Sequence, residues 1–135
     1  MKEINLLLLI TPKIDLACLT EDMNCHQAIE KMRAHGFMAI PVISKHGEYI
    51  GTITEGDLLW TLTENDYDIE ALSEINIKEI IRKEYSKPVK SDVSTNQLFE
   101  VITNQNFVPV VDDRNILMGI VTRRRVLKTL LESEA

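Results

Sequence analysis

The chain has 135 residues, of which 44% are hydrophobic and 27% charged, the proportions of a soluble globular protein rather than a disordered one. Its net charge of −6 argues against binding of nucleic acid or an anionic membrane by the surface as a whole. The length suits one ordinary domain, or two small subunits that share a core.

The N-terminal segment contains one short apolar run, Leu6–Ile10, which is interrupted by Thr11 and Pro12. The run is too short for a signal peptide or a membrane span, and we predict a buried strand or a short dimer contact. Cys18 and Cys25 lack the spacing of a zinc site or of a disulfide framework. This cysteine usage predicts a reducing, cytoplasmic location.

An internal repeat organises the chain. Ile40–Ile43 recurs as Val108–Val111, both with a central Pro-Val pair, and Gly51–Leu62 recurs in the same frame as Gly119–Leu130. Each Pro-Val run and the run that begins near its glycine are rich in Val and Ile and are joined by a polar turn, which predicts two strands per copy. A further helix is expected to begin near Thr54 or Thr122.

Upstream of each Pro-Val run, the sequence predicts a capped helix. Asn24 precedes Gln27 by three residues, and Ser94 precedes Gln97 by the same spacing, which is that of a capping box. Gly36 suits the end of the first of these helices. Each copy therefore reads strand, helix, strand, strand, helix.

The acidic segment between the copies is the predicted boundary between domains. Glu64–Asn76 contains five acidic residues and no basic one, and we interpret it as a solvated connector in preference to a partner site. The predicted division is repeat 1 over residues 1–63, the connector over 64–76, and repeat 2 over 77–135.

The repeated pattern resembles that of the CBS domain. The first copy carries a hydrophobic-Pro-Val-hydrophobic run at Ile40–Ile43 and Gly-x-hydrophobic-Thr-x-x-Asp from Gly51 to Asp57; the second copy matches except that Arg125 replaces the aspartate. Because the likeness covers almost the whole chain, it implies a tandem pair (a Bateman module). The implied fold class is α+β, with two pseudo-symmetric repeats packed sheet to sheet.

The resemblance implies a regulatory module without catalytic activity. Its members typically bind an adenosyl ligand such as AMP, ADP, ATP or S-adenosylmethionine in the cleft between the repeats, and often form homodimers. An adenine nucleotide is thus the expected regulatory ligand, with no cofactor or metal required, and the signal would be a conformational or dimer change. The protein target is left open.

The resemblance also implies two ligand sites. In the first, Asp57 binds ribose hydroxyls and Thr54 faces the phosphate, while the other repeat contributes Lys87, Gln105, Asn106 and Phe107. The pseudo-symmetric site takes Thr122, Arg123, Arg124 and Arg125 from the second repeat and Ala17, Phe37, Met38 and Ala39 from the first.

Both turns have a second interpretation. Thr54 and Asp57 also have the spacing of a capping box, and the two roles are compatible because a helix N-terminus is where phosphate binds. The three arginines stand in a helix's first turn, where cations are disfavoured; they form either a solvated face or a phosphate site. The Thr-Arg-Arg sequence is similar to small CBS proteins of Gram-positive bacteria that sense cyclic di-AMP.

Other residue types give no catalytic or metal pattern. His26, His35 and His46 are scattered without ligand spacing, no Ser-His-Asp or Cys-His arrangement can be built, and an enzyme is not predicted. Trp60 is expected on a helix surface, either as a dimer contact or packed within the fold. A dimeric adaptor that binds a protein without any small ligand remains an alternative.

Overall fold

The computed structural model describes residues 5–36, 38–82 and 86–133. They form an α+β protein with two β-sheets. In chain order the elements are α1 (Leu6–Leu9), β1 (Thr11–Pro12), β2 (Leu19–Thr20), α2 (Cys25–His35), β3 (Ala39–Ile43), β4 (Tyr49–Thr54), α3 (Glu55–Glu64), β5 (Val89–Lys90), α4 (Thr95–Ile102), β6 (Phe107–Val111), β7 (Leu117–Thr122) and α5 (Arg123–Ser133), with short 3-10 helices at Lys13–Asp15, Ile69–Glu74 and Ile77–Glu79.

The predicted order of elements is confirmed in both repeats. The first repeat runs β2, α2, β3, β4, α3 and the second runs β5, α4, β6, β7, α5. In each, the first strand pairs parallel with the second, and the second pairs antiparallel with the third. The α+β class predicted from the repeat is therefore correct.

The capping predictions are confirmed as well. The Asn24 side chain accepts from the Gln27 backbone N–H, and the Gln27 side chain accepts from the Asn24 backbone N–H. Ser94 and Gln97 repeat both bonds at the start of α4. Gly36 ends α2 with a φ of 68°, in the left-handed region where a residue without Cβ carries no strain.

The chain folds into two compact units, one over residues 17–82 and the other over residues 5–16 with 86–133. We call them the first-repeat unit and the second-repeat unit. Each has its own apolar core beneath its sheet. Fully buried residues of the first core include Leu19, Ile40, Val42 and Ile53; Leu98, Val108, Val110 and Val121 occupy the second.

The N-terminal segment does not form the strand that was one of its two predictions, while the short dimer contact stays a prediction. Leu6–Leu9 form helix α1 rather than a strand, with Leu6 and Leu9 buried and Leu7 and Leu8 exposed. Burial of two leucines three positions apart is the pattern of a helix, whereas a strand would bury alternate residues.

The same segment belongs to the second-repeat unit although it precedes the first repeat in the chain. Strand β1 pairs antiparallel with β7, with Thr11 opposite Ile120 and Pro12 opposite Gly119. The compact units consequently begin and end at other positions than the repeat boundaries predicted from the sequence. The difference arises because β1 joins the sheet of the second repeat by pairing with β7.

The acidic segment is more than a solvated connector. Leu72 is fully buried in the first-repeat core, and the 3-10 helix Ile69–Glu74 that carries it packs against α2. Its acidic side chains Glu70 and Glu74 remain exposed. The segment therefore closes the core with one apolar face.

The repeat also includes the segment that precedes each copy in the chain. Asn76 caps the helix Ile77–Glu79 through its side chain, as Asn5 caps α1. Farther along, an added Cβ on Gly51 would collide with Ile81, and one on Gly119 would collide with the backbone of Thr11 and the side chain of Ile10. Segments 76–82 and 5–11 are thus equivalent pieces of the two units.

None of the helices in the described part of the chain combines the length and the apolar character needed to cross a membrane.

Candidate functional site

The first-repeat turn, Thr54–Asp57, joins β4 to α3. Thr54 caps α3, with its Oγ1 accepting from the Asp57 backbone N–H at 3.1 Å. The Asp57 carboxylate accepts in return from the Thr54 backbone N–H, at 2.9 Å through Oδ2. The capping box inferred from the spacing is confirmed, and it holds both side chains at the helix N-terminus.

Asp57 has a second partner that the sequence did not indicate. Its Oδ1 lies 2.8 Å from Nε of Arg82, and its side chain is only 8% exposed, against 53% for Arg82. A terminal nitrogen of the same guanidinium lies 3.5 Å from Thr54 Oγ1. Both oxygens of the carboxylate are therefore engaged, and an arginine covers the turn.

Arg82 is brought to this turn by its backbone. It forms an isolated antiparallel bridge with Thr52 of β4, and the preceding Ile81 packs against Gly51. Nothing local to Asp57 in the sequence marks this contact. The only available signal in the sequence was the similarity of the segments that precede the two copies, in which Ile81-Arg82 aligns with Ile10-Thr11.

Two of the remaining first-repeat candidates, Met38 and Ala39, lie beside the same turn. Ala39 is paired with Thr54 across β3 and β4, and the Met38 carbonyl accepts from the Glu55 backbone N–H at 2.9 Å. The Met38 side chain is 67% exposed. Ala17 packs against the first-repeat core, and Phe37 lies outside the described residues.

The second-repeat turn, Thr122–Arg125, has the same backbone and a different charge. Thr122 Oγ1 accepts from the Arg125 backbone N–H at 3.1 Å, which reproduces half of the capping box. The reciprocal half needs an acceptor, and the guanidinium of Arg125 has none. The turn is thus capped by the threonine alone.

Arg123 has a structural role. Its Nε donates to the Ile102 carbonyl at 2.9 Å, and a terminal nitrogen donates to the Thr103 carbonyl at 3.3 Å. These carbonyls are at the C-terminal end of α4, where a cation is favourable. The guanidinium therefore joins the start of α5 to the end of α4.

Arg124 and Arg125 are placed differently. Both are exposed, and within the part of the chain that the structure describes, neither side chain makes an ion pair or hydrogen bond. They add two unneutralised positive charges to the positive end of a helix. Together with the helix N-terminus they favour the binding of an anion at this turn.

The other second-repeat candidates form one small network beside this turn. Phe107 is paired with Thr122 across β6 and β7, and the Asn106 carbonyl accepts from the Arg123 backbone N–H at 3.0 Å. Buried Gln105 accepts from the Lys87 backbone N–H and donates to the Phe107 carbonyl, both at 3.0 Å.

Each unit thus assembles its own candidates: Thr54, Asp57, Met38 and Ala39 in the first, and Thr122, the arginines, Asn106 and Phe107 in the second. The equivalence of Ala39–Thr54 and Phe107–Thr122 pairs shows that both turns follow from the same strand register. The prediction that each turn is completed by residues of the other repeat stays a prediction.

An apolar groove lies elsewhere in the first-repeat unit. It has a volume of about 400 Å³ and runs between α2 and α3, where Ile29, Met32, Leu58 and Leu62 line it. On the neighbouring surface of α3, Trp60 is 69% exposed, as its prediction as a surface residue required. The groove offers hydrophobic contact and few polar groups.

Within the described residues, no group of three or more His, Cys, Asp or Glu side chains is placed to bind a metal ion. Neither Cys18 nor Cys25 forms a disulfide. Burial, with a smaller contribution from the negative charge of Glu79, raises the pKa of Cys25 to about 11. A thiol that stays protonated at neutral pH is a poor nucleophile.

The chain resembles known proteins over nearly its whole length. The family model of the CBS domain matches residues 9–64 and again residues 73–132. An uncharacterised protein of Methanopyrus kandleri is 31% identical over 105 residues, which make up 73% of this chain and 49% of that protein. The chain therefore spans about half the length of this relative.

Solved structures give the same result for the fold. The CbpB protein of Listeria monocytogenes, in complex with c-di-AMP, has a TM-score of 0.88 at 21% identity, covering 96% of this chain and 97% of that one. CBSX2 in complex with AMP has a TM-score of 0.73 at 22% identity, covering 94% and 96%. At these identities the likeness extends to the fold alone.

Proposed function

The chain belongs to the CBS domain family, and from that premise we propose that it is a cytoplasmic, non-catalytic regulatory module that binds an adenosyl ligand such as AMP, ADP or ATP. Binding at the Thr54–Asp57 turn changes the conformation of the chain or its association with a second copy, and this change is the signal. The match of both repeats to the family model supports the proposal, as does the AMP complex of CBSX2.

The observation that carries the proposal is the geometry of the first-repeat turn. A threonine hydroxyl and a carboxylate stand together at the N-terminus of α3, where free backbone N–H groups favour phosphate. The carboxylate can accept two hydroxyls of a ribose, and the threonine can donate to phosphate oxygen. One turn thus offers both functions that a nucleotide requires.

Calorimetric titration tests the proposal most directly. Wild-type protein is titrated with AMP, ADP, ATP, S-adenosylmethionine and cyclic di-AMP, and unfolding is followed in parallel. A ligand present at 100 times its Kd is expected to add about 2.7 kcal/mol to the free energy of unfolding. If the entire panel gave neither heat nor a shift in Tm, the proposal would be wrong.

Substitutions localise the binding. Asp57→Asn keeps the shape of the side chain and removes its charge, so binding of ribose ligands should weaken by about tenfold or more. Asp92→Asn is the matched control, since Asp92 is an exposed carboxylate of the second-repeat unit. Equal affinities of the two variants would place the ligand away from Asp57.

A second candidate function is the sensing of cyclic di-AMP through the second-repeat turn. It is favoured by Arg124 and Arg125, which are exposed at the start of α5 and offer guanidinium groups to phosphate. The c-di-AMP complex of the Listeria CbpB protein supports it. A cyclic dinucleotide carries two phosphates, which suits two adjacent arginines.

Binding of cyclic di-AMP by a set of variants distinguishes the two candidate functions. If cyclic di-AMP is the ligand of the second-repeat turn, Arg124→Ala and Arg125→Ala should each weaken its binding while Asp57→Asn leaves it unchanged. Arg114→Ala serves as control because Arg114 is an exposed arginine in the β6–β7 turn. Loss of cyclic di-AMP binding in Asp57→Asn alone would assign that ligand to the first turn.

Association with a second copy, or with a protein target in the adaptor alternative, is proposed for α3. Leu59 and Trp60 are exposed on this helix, and Leu59 also lines the apolar groove. Trp60→Ala should then lower the dimer fraction in sedimentation experiments. Target binding that survives loss of nucleotide binding in the Asp57→Asn and Arg124→Ala double variant would favour the adaptor.

A further inference from the structure

We propose that this protein self-associates by packing helix α3 of one copy against helix α5 of a second copy, and not by packing either helix against the same helix of the other copy. The partner of the α3 surface is then the basic helix of the second-repeat unit. This inference rests on the association proposed above for α3 and names the surface that completes it.

Both helices present exposed apolar side chains. Leu59 and Trp60 are exposed on α3, and Leu127 and Leu131 are exposed on α5. Leu127 and Leu131 are four positions apart, so they lie on one face of their helix. Apolar side chains grouped on an exposed face are typical of a surface that packs against another protein.

The groove between α2 and α3 can accept such side chains. It has a volume of about 400 Å³ and is lined by Ile29, Met32, Leu58 and Leu62. Leu59 lines the groove and is itself exposed, so the groove is continuous with the exposed face of α3. Leucine side chains that fill an apolar groove leave water, which stabilises the contact.

Charge decides which helix fits this surface. Helix α3 has three acidic residues and no basic one, whereas α5 has four basic residues and one acidic one. The acidic character extends beyond α3, since residues 46–77 contain eight acidic residues and no lysine or arginine. Contact of α3 with α3, or of α5 with α5, would bring like charges together. Contact of α3 with α5 brings opposite charges together and is therefore favoured.

Several of these charges are available for a second copy. Glu55, Glu64 and Lys128 are exposed, and within the described part of the chain their side chains form no ion pair or hydrogen bond. Asp57 and Arg123, in contrast, are engaged within their own units. The attraction between copies thus depends on exposed charges, and salt should weaken it.

The comparison between the repeats supports the same pairing. Trp60 of α3 and Lys128 of α5 hold equivalent positions. A lysine ammonium is attracted to the face of a tryptophan ring, so these two positions complement one another. Lys128 facing its own copy would instead be repelled.

The first test is the salt dependence of self-association, measured by sedimentation equilibrium of the full chain. When NaCl is raised from about 0.05 to 0.5 M, the Kd for association should rise at least threefold, because opposite charges are screened. Association that becomes stronger with salt would show that like-charged surfaces meet, and the inference would be wrong.

The second test uses apolar substitutions. The Leu127→Ser and Leu131→Ser double variant and the Trp60→Ala variant should each weaken association by about tenfold or more, because one interface contains all three side chains. Ile14→Ser is the matched control, since Ile14 is an exposed apolar residue away from both helices. Circular dichroism checks that each variant is folded. If the α5 variant associated as wild type does, α5 would not be the partner.

Charge reversal identifies the pairing itself. Glu64→Lys and Lys128→Glu should each raise the Kd for association by about threefold, and the variant that carries both should recover. Asp92→Lys, an exposed charge reversal in the β5–α4 turn, should change little. Native mass spectrometry of the double variant mixed with isotopically labelled wild type should show fewer mixed assemblies than random mixing gives. A preference for mixed assemblies would assign the contact to identical helices and overturn the inference.

These outcomes are separate from those for nucleotide binding. If the chain stays monomeric in every condition while calorimetry detects a bound nucleotide, the inference is wrong and the proposed ligand binding stands. If no nucleotide binds but salt, leucine and charge variants act as expected, the proposed ligand binding falls and the α3–α5 contact stands.

Discussion

The two turns of this protein share one backbone and use opposite charges. In the first-repeat turn, Asp57 completes the cap of α3 and is covered by Arg82. In the second-repeat turn, Arg125 occupies the equivalent place, and Arg123 is drawn away to the end of α4. The comparison shows that both turns keep the threonine cap, whereas the charge of the residue three positions later differs between them.

The difference extends to how each turn is supported from upstream. Each of the equivalent segments 5–11 and 76–82 ends with a residue that pairs with the final strand of a repeat, which is Thr11 with β7 in one and Arg82 with β4 in the other. Charge at the turn therefore depends on a residue that lies far away in the chain. The following predictions test how far this equivalence holds.

The largest effect is expected at the two equivalent glycines. In Gly119→Ala the new Cβ would collide with the backbone carbonyl of Thr11, whereas in Gly51→Ala it would meet the side chain of Ile81. Backbone is harder to move, so Gly119→Ala should lower the free energy of unfolding by about 3 kcal/mol and Gly51→Ala by about 1 kcal/mol. Denaturant titration measures both.

A rescue experiment sharpens this contrast. Shortening the side chain in Ile81→Ala should restore part of the stability lost in Gly51→Ala. No change at Ile10 should rescue Gly119→Ala fully, because the collision with the Thr11 carbonyl remains. Equal losses for the two glycine variants would mean that the upstream segments are held with equal freedom.

The next effect is at the charged positions of the turns. Asp57→Ala removes the bond to the Thr54 N–H and leaves Arg82 without its carboxylate, so it should cost about 2 kcal/mol of stability. Arg125→Ala removes an exposed cation from a helix start and should change stability by about 0.5 kcal/mol or less. Thermal unfolding of the two variants compares them directly, and similar losses would contradict the assigned contacts.

A smaller effect distinguishes the neighbouring arginines of α5. Arg123→Ala removes the donors to the Ile102 and Thr103 carbonyls and should cost about 1 kcal/mol. Arg124→Ala should leave stability within about 0.5 kcal/mol of wild type while it weakens binding of phosphate ligands. If stability fell equally in both, Arg123 would not act as a helix cap.

The last contrast, which is absent at neutral pH, is a dependence on alkaline pH that is confined to the first-repeat unit. The pKa of Cys25 is raised from 9.0 to about 11 by burial, so above pH 9 the unfolded chain loses the proton first and the folded state loses stability up to about pH 11. The equivalent residue of the second repeat, Thr95, does not ionise in this range. Cys25→Ala should remove this part of the pH dependence.

Alkylation offers an independent measurement of the same feature. Cys18 is half-buried, whereas Cys25 is fully buried, so a thiol reagent at pH 8 should modify Cys18 in the folded protein and Cys25 only after unfolding. Rapid modification of Cys25 under native conditions would show that α2 opens locally.

Much of the fold followed from short-range patterns. The capping boxes at Asn24 and Ser94, the glycine that ends α2, and the order of strands and helices in each repeat were all predicted, because each depends on residues only a few positions apart. The turn at Thr54 and Asp57 was predicted for the same reason.

Sequence-based predictions were wrong for two segments whose structure depends on distant partners. Leu6–Leu9 form a helix because burial of Leu6 and Leu9 against the second-repeat core selects that spacing, and five consecutive apolar residues do not distinguish helix from strand. Leu72 is buried because the acidic segment folds back on α2. The acidic residues around Leu72 give the segment the composition of a solvated connector, so composition did not indicate that Leu72 is buried.

The sequence by itself determined that this chain is a tandem repeat, where the helices of each repeat begin, and that the two turns carry opposite charges. Only the tertiary structure decided what those charges contact. Arg82 meets Asp57 because strand β4 receives a segment from beyond α3, and Arg123 meets the end of α4 because the strands β6 and β7 bring the two helices together. Contacts of this kind depend on the path of the folded chain, and local spacing carries no record of that path.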